Sequence, residues 1–521
     1  MTPSTPYRDN RPQHTAGDPA RSGAIALITE GTYPCHQGGV SVWCDQLIRG
    51  LPEHSFDLYA ITGTGLERSV WERPGNLVNT VMMPIWGPVR GRSRQRKEPA
   101  EFTETHRRFV SALLDDDVDL FIDALRGLRR FAQYGDLTAG LTSDASLRHL
   151  HKAWINAPHS SRESAGAYAP SVADAIHATA SLEHLMRPLA TPVARADIYH
   201  ASSNGLASLI AMVGKWTHGT RFILTEHGIY LRERYMALAY RDATYPVRML
   251  VLRFVRLVTA AAYREADLIT PGSHFNRRWQ ERNGADPEKV RPVHNGVDHH
   301  AFPEVGPEPD VRTLVWVGRV DPLKDLETLI QAAALVRAQV PEFRLRMFGS
   351  VPAGNETYAE RCRALIGQLN LTEHAFFEGR IPEIRDAYEA ASVVVLSSTS
   401  EGFPYTVIEA MMSGRATVST DVGGVAEAVG DAGLVVAPRD PAALADACLA
   451  LLLDRRRREQ FGKAARARAL EFFTLDRFLD VYRGIYTELG AVPAPIAVAH
   501  TRPEPVSEPA AIWQFESVQP T

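Results

Sequence analysis

The stretch VVVLSSTSEGFPYTVIEA, residues 393–410, joins an apolar β-branched run to a helical pattern through a short polar turn. The run reads as a buried strand. Pro404 suits the first turn of a helix, because its fixed φ fits there and the N–H it lacks has no helical partner. Glu401 then lies in the loop between strand and helix, and Glu409 about a turn and a half inside the helix. In the segment from Gly402 through Phe403 and Pro404 to Tyr405, the free amides, which Pro404 does not share, face a cleft, where a helix N-terminus favours an anionic or hydroxyl-rich ligand. A carboxylate accepts hydrogen bonds from two vicinal hydroxyls, so paired glutamates suit a ribose and a sugar. Spacing alone leaves another reading equally open, in which Glu401 caps the helix and Glu409 makes a structural ion pair.

Outward from this segment the same alternation of short apolar runs and helical patterns continues, which marks a parallel α/β architecture. Strands are expected at Thr313–Val317, Arg344–Phe348, Ala375–Glu378, Val393–Ser397, Ala416–Ser419 and Leu434–Val436. Upstream, the Pro-rich acidic run AFPEVGPEPD (301–310) reads as a linker. Before it, strands are expected at Ala24–Thr29, Phe56–Thr62, Asn79–Trp86, Asp197–His200, Arg221–Glu226, Asp267–Thr270 and Val290–His294. Helix-like periodicity between about 98 and 195 reads as a helical insertion. The expected fold class is therefore α/β, with two Rossmann-like domains at 22–300 and 311–474 facing a cleft. A final helix is expected at 475–489, and disordered ends at 1–21 and 490–521.

Composition narrows the function classes. At 521 residues the chain is too long for one core. A formal net charge of -4 gives no basic field for nucleic acid. No apolar run reaches the roughly 18 to 20 residues of a membrane span. The greasiest stretch, Met249–Ala262, is broken by Arg253 and Arg256 and reads as a buried amphipathic helix. The first 21 residues are polar and lack a signal-peptide core. Cys35, Cys44, Cys362 and Cys448 are scattered, so neither a disulfide framework nor a zinc site is expected, and the cytosol is the expected compartment.

Further segments carry chemistry. In GRVDPLKD (318–325), directly after an apolar strand, Arg319 and Lys324 are placed to converge on one diphosphate; the plain alternative is a surface turn. In EGTYPCHQGGV (30–40), Gly38 and Gly39 precede a helix and allow backbone amides close to a phosphate; the plain alternative is a tight turn. This segment does not spell GxGxxG, so nicotinamide dinucleotide binding is not supported. In LTEHG (224–228), His227 ends a strand at the cleft mouth, where its ring could meet a sugar hydroxyl; the plain alternative is a structural histidine, and His200 of YHASSNG (199–205) is a rival. The segment Asn295–Asp298 reads as a turn, and the basic run Arg90–Lys97 as a solvated loop.

In this order, the segments GRVDPLKD, EGFPYTVIE and TDVGGVAEAV resemble glycosyltransferase family 4, retaining enzymes of the GT-B fold. EGTYPCHQGGVSVW, LTEHGIYLRERY and the insertion are similar to the PelF type, cytosolic transferases of Pel-type exopolysaccharide synthesis. The resemblance covers about Ala24 to Leu489 and implies roles residue by residue. Arg319 and Lys324 neutralise the leaving pyrophosphate without a metal, and Gly38 and Gly39 add amides from the other side. Glu409 holds the ribose, and the loop of Gly379, Arg380 and Ile381 receives the nucleobase. Glu401 and the loop from Gly402 to Tyr405 grip the donor sugar, with His227 near its reacting centre. No cofactor is implied, since the nucleotide-sugar is a substrate; UDP-glucose and UDP-N-acetylhexosamine lead among donors. The acceptor is a polysaccharide, a lipid-linked primer or a small molecule, with a membrane synthesis and export complex as partner. The helix at 475–489 is expected to cross back to the first domain.

Three rival readings are weighed. A phosphorylase or sugar-phosphate synthase shares the fold. A non-catalytic nucleotide-sugar scaffold has no need of both glutamates, Arg319, Lys324 and His227 together. A nicotinamide oxidoreductase lacks its glycine fingerprint.

Overall fold

Apolar β-branched runs fold into strands covered on both faces, which is why they read as nearly unbroken hydrophobic stretches. The computed structural model describes residues 23–87, 99–157, 169–239 and 243–492. The first 21 residues, the Arg90–Lys97 run and most of the tail lie outside them. Of the tail only 490–492 are described, and Ala491 there is fully buried.

The first sheet contains β1 (Ala24–Glu30), β2 (Ser55–Thr62), β3 (Leu77–Pro84), β4 (Ile198–Ala201), β5 (Arg221–Glu226) and β6 (Leu268–Pro271). Its order is β3-β2-β1-β4-β5-β6, with every pairing parallel. The second contains β7 (Thr313–Val317), β8 (Arg344–Phe348), β9 (Ala375–Gly379), β10 (Val393–Leu396), β11 (Ala416–Thr420) and β12 (Leu434–Val436). Its order, β12-β11-β10-β7-β8-β9, is the same topology, again parallel. The architecture is thus α/β with two Rossmann-like domains. Strand order reverses between β1 and β4 and between β7 and β10, and such switch points open a crevice for ligands.

One expected strand does not form. Val290–His294 runs beside β6, with the Arg291 and Val293 amides donating to Ile269 O (2.9 Å) and Pro271 O (2.8 Å). Pro292 interrupts the run without an N–H of its own, and the pairing stops at a single bridge, Ile269 to Val290.

In the first domain α1 (Gly39–Gly50) follows β1. Between β3 and β4 stand α2 (Ala100–Asp115), α3 (Val118–Ala132), α4 (Leu137–Leu141), α5 (Asp144–Asn156) and α6 (Val172–Met186). Polar N-caps start several of them: Asp117, Asp136 and Ser143 accept from the Leu120, Ala139 and Ser146 amides. Then come α7 (Leu206–His218), α8 (Tyr230–Ala239), α9 (Tyr245–Glu265) and α10 (His274–Arg282). The insertion shares the core of the domain: Phe254 of α9 meets Phe109 and Phe121 of α2 and α3 at ring separations of 6.4 and 5.9 Å. Arg253, which interrupts the greasiest stretch, donates to Leu114 O (3.0 Å), and Arg256 reaches Asp116, so α9 is tied to the insertion by its charges as well.

The second domain carries α11 (Leu326–Gln339), α12 (Glu356–Gln368), α13 (Arg385–Glu389), α14 (Tyr405–Met412), α15 (Val425–Val429), α16 (Pro441–Leu452) and α17 (Arg455–Phe472). The last helix, α18 (Leu475–Glu488), packs on the first domain. A Cβ on Gly50 of α1 would lie 2.3 Å from Leu479, so only glycine admits this approach. Phe478, Tyr482 and Tyr486 are buried in one core with Trp43 and Leu47.

Candidate active site

The loops after β1, β4, β5, β7 and β10 converge on one cavity of 470 Å³ between the two domains. On the first-domain wall, Gly38 and Gly39 open α1. No acidic side chain occupies the first turn of α1, so its positive end faces the cavity uncompensated. A Cβ on Gly38 would meet nothing within 4 Å, whereas one on Gly39 would lie 3.4 Å from the Tyr405 ring opposite.

His227 follows β5 and lines the cavity. Its ring stands edge-on to Trp43 at 4.9 Å, and its Nε2 is buried without a hydrogen-bond partner. Burial pushes the imidazole down to about 4, so it is neutral at pH 7. Glu226 beside it is held by the Tyr230 amide (3.0 Å), the Tyr263 hydroxyl (2.6 Å) and Gln280 Nε2 (3.0 Å). Burial raises that carboxyl to about 6. The rival His200 is fully buried and bonded to Tyr486 Oη (2.8 Å) and Thr225 Oγ1 (2.7 Å). It supports the wall from beneath and does not line the cavity.

On the opposite wall, Arg319 follows β7 and Lys324 closes a short 3₁₀ turn whose start is capped by Asp321. The end of β10 fixes this loop: Ser397 Oγ donates to Lys324 O (2.7 Å) and the Thr399 amide to Leu323 O (2.8 Å). Lys324 Nζ pairs with Glu401 Oε1 at 2.6 Å, and Ser398 Oγ donates to the same oxygen at 2.6 Å. Glu401 is thus engaged with the lysine, not with the α14 amides. Pro404 is the N-cap of α14, one residue ahead of its first turn.

Gly402, Phe403, Pro404 and Tyr405 line the cavity. A Cβ on Gly402 would sit 2.0 Å from His227 O, so glycine lets this loop reach the other domain. Asn295, read from sequence as part of a turn, lines the cavity and donates to Phe403 O at 3.0 Å.

Four residues singled out from the sequence stand beside the cavity instead of lining it. Glu409 Oε2 accepts from Tyr388 Oη at 2.5 Å, a hydrogen bond where the plain reading had an ion pair. Burial pushes Glu409 up to about 7. Gly379 ends β9 with φ 73, and Ile381 packs into the cluster that contains Tyr388 and Phe348. Arg380 donates to Gln37 Oε1 across the cleft at 2.9 Å.

Sequence reasoning gave no role to Glu30, Thr32, Ser202, Ser203, Glu233 or Arg234, which all line the cavity. One signal was available. Tyr230, Glu233 and Arg234 stand at i, i+3 and i+4, the spacing of one helix face. Among the described residues no group of three His, Cys, Asp or Glu side chains is placed to hold a metal ion. No described helix is long and apolar enough to cross a membrane.

Residues 23–288 match a family described as a domain of unknown function, DUF3492, and residues 299–468 match glycosyl transferases group 1. A D-inositol 3-phosphate glycosyltransferase of Acidothermus cellulolyticus is 30% identical over 56% of this chain and 68% of its own. D-inositol 3-phosphate glycosyltransferase 2 of Catenulispora acidiphila is 32% identical over 57% of this chain and 72% of its own. Among solved structures, Anabaena HepE in complex with UDP superposes with a TM-score of 0.57 at 14% identity, covering 89% of this chain and 99% of that one. Sucrose-phosphate synthase from Thermosynechococcus elongatus gives 0.60 at 20%, covering 89% and 98%. These two likenesses establish the GT-B fold. By its DUF3492 first domain, its group 1 second domain and relatives matched over more than two thirds of their length, the chain belongs to the group 1 glycosyltransferases.

Proposed function

We propose that this chain transfers a sugar from a UDP-sugar to an acceptor hydroxyl, with retention at the anomeric carbon and without a metal. The observation that carries the reading is one cavity with Arg319 and Lys324 on one wall and the α1 N-terminus and neutral His227 on the other. Solved relatives of the same fold include HepE with UDP and with UDP-glucose, which supports UDP as the nucleotide.

In this reaction the acceptor oxygen bonds to C1 of the donor sugar as the bond from C1 to the diphosphate oxygen breaks. The acceptor proton passes to the departing diphosphate, and the products are the glycosylated acceptor and UDP. Negative charge grows on the leaving group, so fixed cations and amides aimed at it supply the main catalytic term. Arg319 and Lys324 provide the cations, and the amides at Gly38 and Gly39 the dipole. His227, neutral and with Nε2 unengaged, offers one hydrogen bond to a sugar hydroxyl near C1. Glu401 takes other hydroxyls of the donor sugar, and Glu409 takes the ribose diol beside the Gly379–Ile381 loop.

The biological setting we propose is exopolysaccharide synthesis of the PelF type, at the cytoplasmic face of a membrane export complex. The similarity of the EGTYPCHQGGVSVW and LTEHGIYLRERY segments supports it. Incubating the EDTA-treated protein with a panel of nucleotide-sugars and measuring nucleoside diphosphate release tests the reaction. Release from a UDP-sugar is expected; release only on adding a divalent metal contradicts the metal-free mechanism. Sugar 1-phosphate formation from orthophosphate favours a phosphorylase instead.

A further inference from the structure

Resting on that reading, the two walls of the cavity differ in charge. The donor wall holds Arg319, Lys324 and Glu401, the last paired with Lys324. The first-domain wall holds Glu30, Glu226 and Glu233, and Arg234 is its only cation among the described lining residues. Its guanidinium pairs with Glu30, so those two charges offset each other, and it lies 4.8 Å over the Tyr230 ring; Glu226 and Glu233 are the carboxyls that remain.

The same wall carries polar atoms with nothing to bond. Thr32 Oγ1, Ser203 Oγ and His227 Nε2 are buried and have no hydrogen-bond partner, and Ser202, 1% exposed, has only the Cys44 thiol beside it. Unpaired buried polar atoms are rare in folded proteins, and a cluster of them on one cavity wall marks a place where a ligand or water completes the bonding. All four belong to neutral groups that bond equally well to hydroxyls, and none supplies charge for a phosphate.

We infer that the acceptor is an uncharged saccharide, gripped through its hydroxyls by Thr32, Ser202 and Ser203 beside the donor-contacting His227, and that phosphorylated acceptors are excluded by the carboxylates around them. Its attacking hydroxyl gives up its proton to the departing UDP, so the wall needs no base of its own. Two relatives carry D-inositol 3-phosphate, a phosphorylated compound, in their names. Like charges brought together in a cavity cost about 10²-fold in affinity or more. The carboxylates of this wall therefore select against a phosphorylated acceptor.

The test measures UDP release by the full-length protein with UDP-glucose or UDP-N-acetylglucosamine. One set of acceptors is neutral (cellobiose as a free sugar, octyl glucoside as a lipid-linked one), and the other is phosphorylated (glucose 6-phosphate, fructose 6-phosphate, inositol 3-phosphate). UDP binding by calorimetry accompanies it. Neutral acceptors are expected to stimulate release at least about tenfold more than phosphorylated ones, and the better of the two neutral probes identifies the source. Glu30→Gln, which frees Arg234, is expected to narrow that preference. Ser203→Ala is expected to raise the neutral acceptor's KM about tenfold with UDP affinity retained, and it carries the test if Glu30→Gln does not fold. UDP binding together with equal or better use of phosphorylated acceptors, or with no stimulation by any neutral one, overturns this inference and leaves the donor reading standing. Failure of the folded protein to bind UDP overturns both.

Discussion

Lys324 Nζ and Glu401 Oε1 hold each other at 2.6 Å across the donor wall, with side-chain exposures of 22% and 11%. The carboxylate occupies the lysine, and the donor diphosphate is proposed to take its place. Binding therefore exchanges one anion for another. Ser398 keeps Glu401 in place during that exchange. Neutralising Glu401 frees the lysine's charge but weakens the grip on the donor sugar. Glu401→Gln is predicted to bind UDP as tightly as the parent or several-fold tighter, while turnover falls about 10-fold to 10²-fold. Calorimetry and UDP release check the two halves separately, and a variant weak in both refutes the exchange.

Glu409 gives a prediction with a definite sign. Its carboxyl is raised from 4.5 to about 7 by burial, with Tyr388 Oη its hydrogen-bond donor. The folded, ligand-free protein thus holds an extra proton between those values, and stability falls as pH rises through that window. The cost is on the order of 3 kcal/mol above pH 7, at about 1.4 kcal/mol per unit. Glu409→Gln is predicted to melt higher than the parent at pH 8 and near it at pH 5.

The same group makes nucleotide binding pH-dependent. A ribose diol donates to the carboxylate and prefers it ionised. UDP affinity is therefore predicted to rise with pH up to about 7 and level off. In Glu409→Gln it should be weaker and flat. Calorimetric titrations from pH 5.5 to 8.5 read this directly, and a flat profile in the parent removes Glu409 from the ribose site.

Two glycines at the cleft separate packing from binding. A Cβ on Gly402 would lie 2.0 Å from the His227 carbonyl, while one on Gly38 would meet nothing within 4 Å. Gly402→Ala is predicted to destabilise by about 1 to 3 kcal/mol, because backbone must move to admit it. Gly38→Ala should melt within about 0.5 kcal/mol of the parent yet raise the donor KM, since its methyl projects where the diphosphate approaches the α1 amides. Denaturant melts and donor titrations of both variants check the pair.

The fold was legible because parallel strands buried on both faces must be nearly pure hydrophobic runs, and VVVL and TLVWV are such runs. The failure at Val290–His294 came from one proline inside an otherwise apolar run. That Arg319, Lys324 and Glu401 come together was legible because they stand in the loops after β7 and β10, and strand ends are where such sheets bind ligands. The first-domain wall was harder to see. Ser202 and Ser203 are ordinary loop residues in sequence, and only the packing of β4 against β1 and β5 brings them to face Lys324 and Glu401. The choice between His200 and His227 likewise needed α18, whose Tyr486 engages His200 from 286 residues away.

The most direct test of the central claim compares UDP release by the parent and Lys324→Ala at saturating UDP-sugar, with melting followed alongside. The account predicts that the variant melts close to the parent and turns over at least about 10²-fold more slowly, because the fixed cation facing the leaving diphosphate is gone. An unchanged rate in a folded Lys324→Ala protein contradicts it.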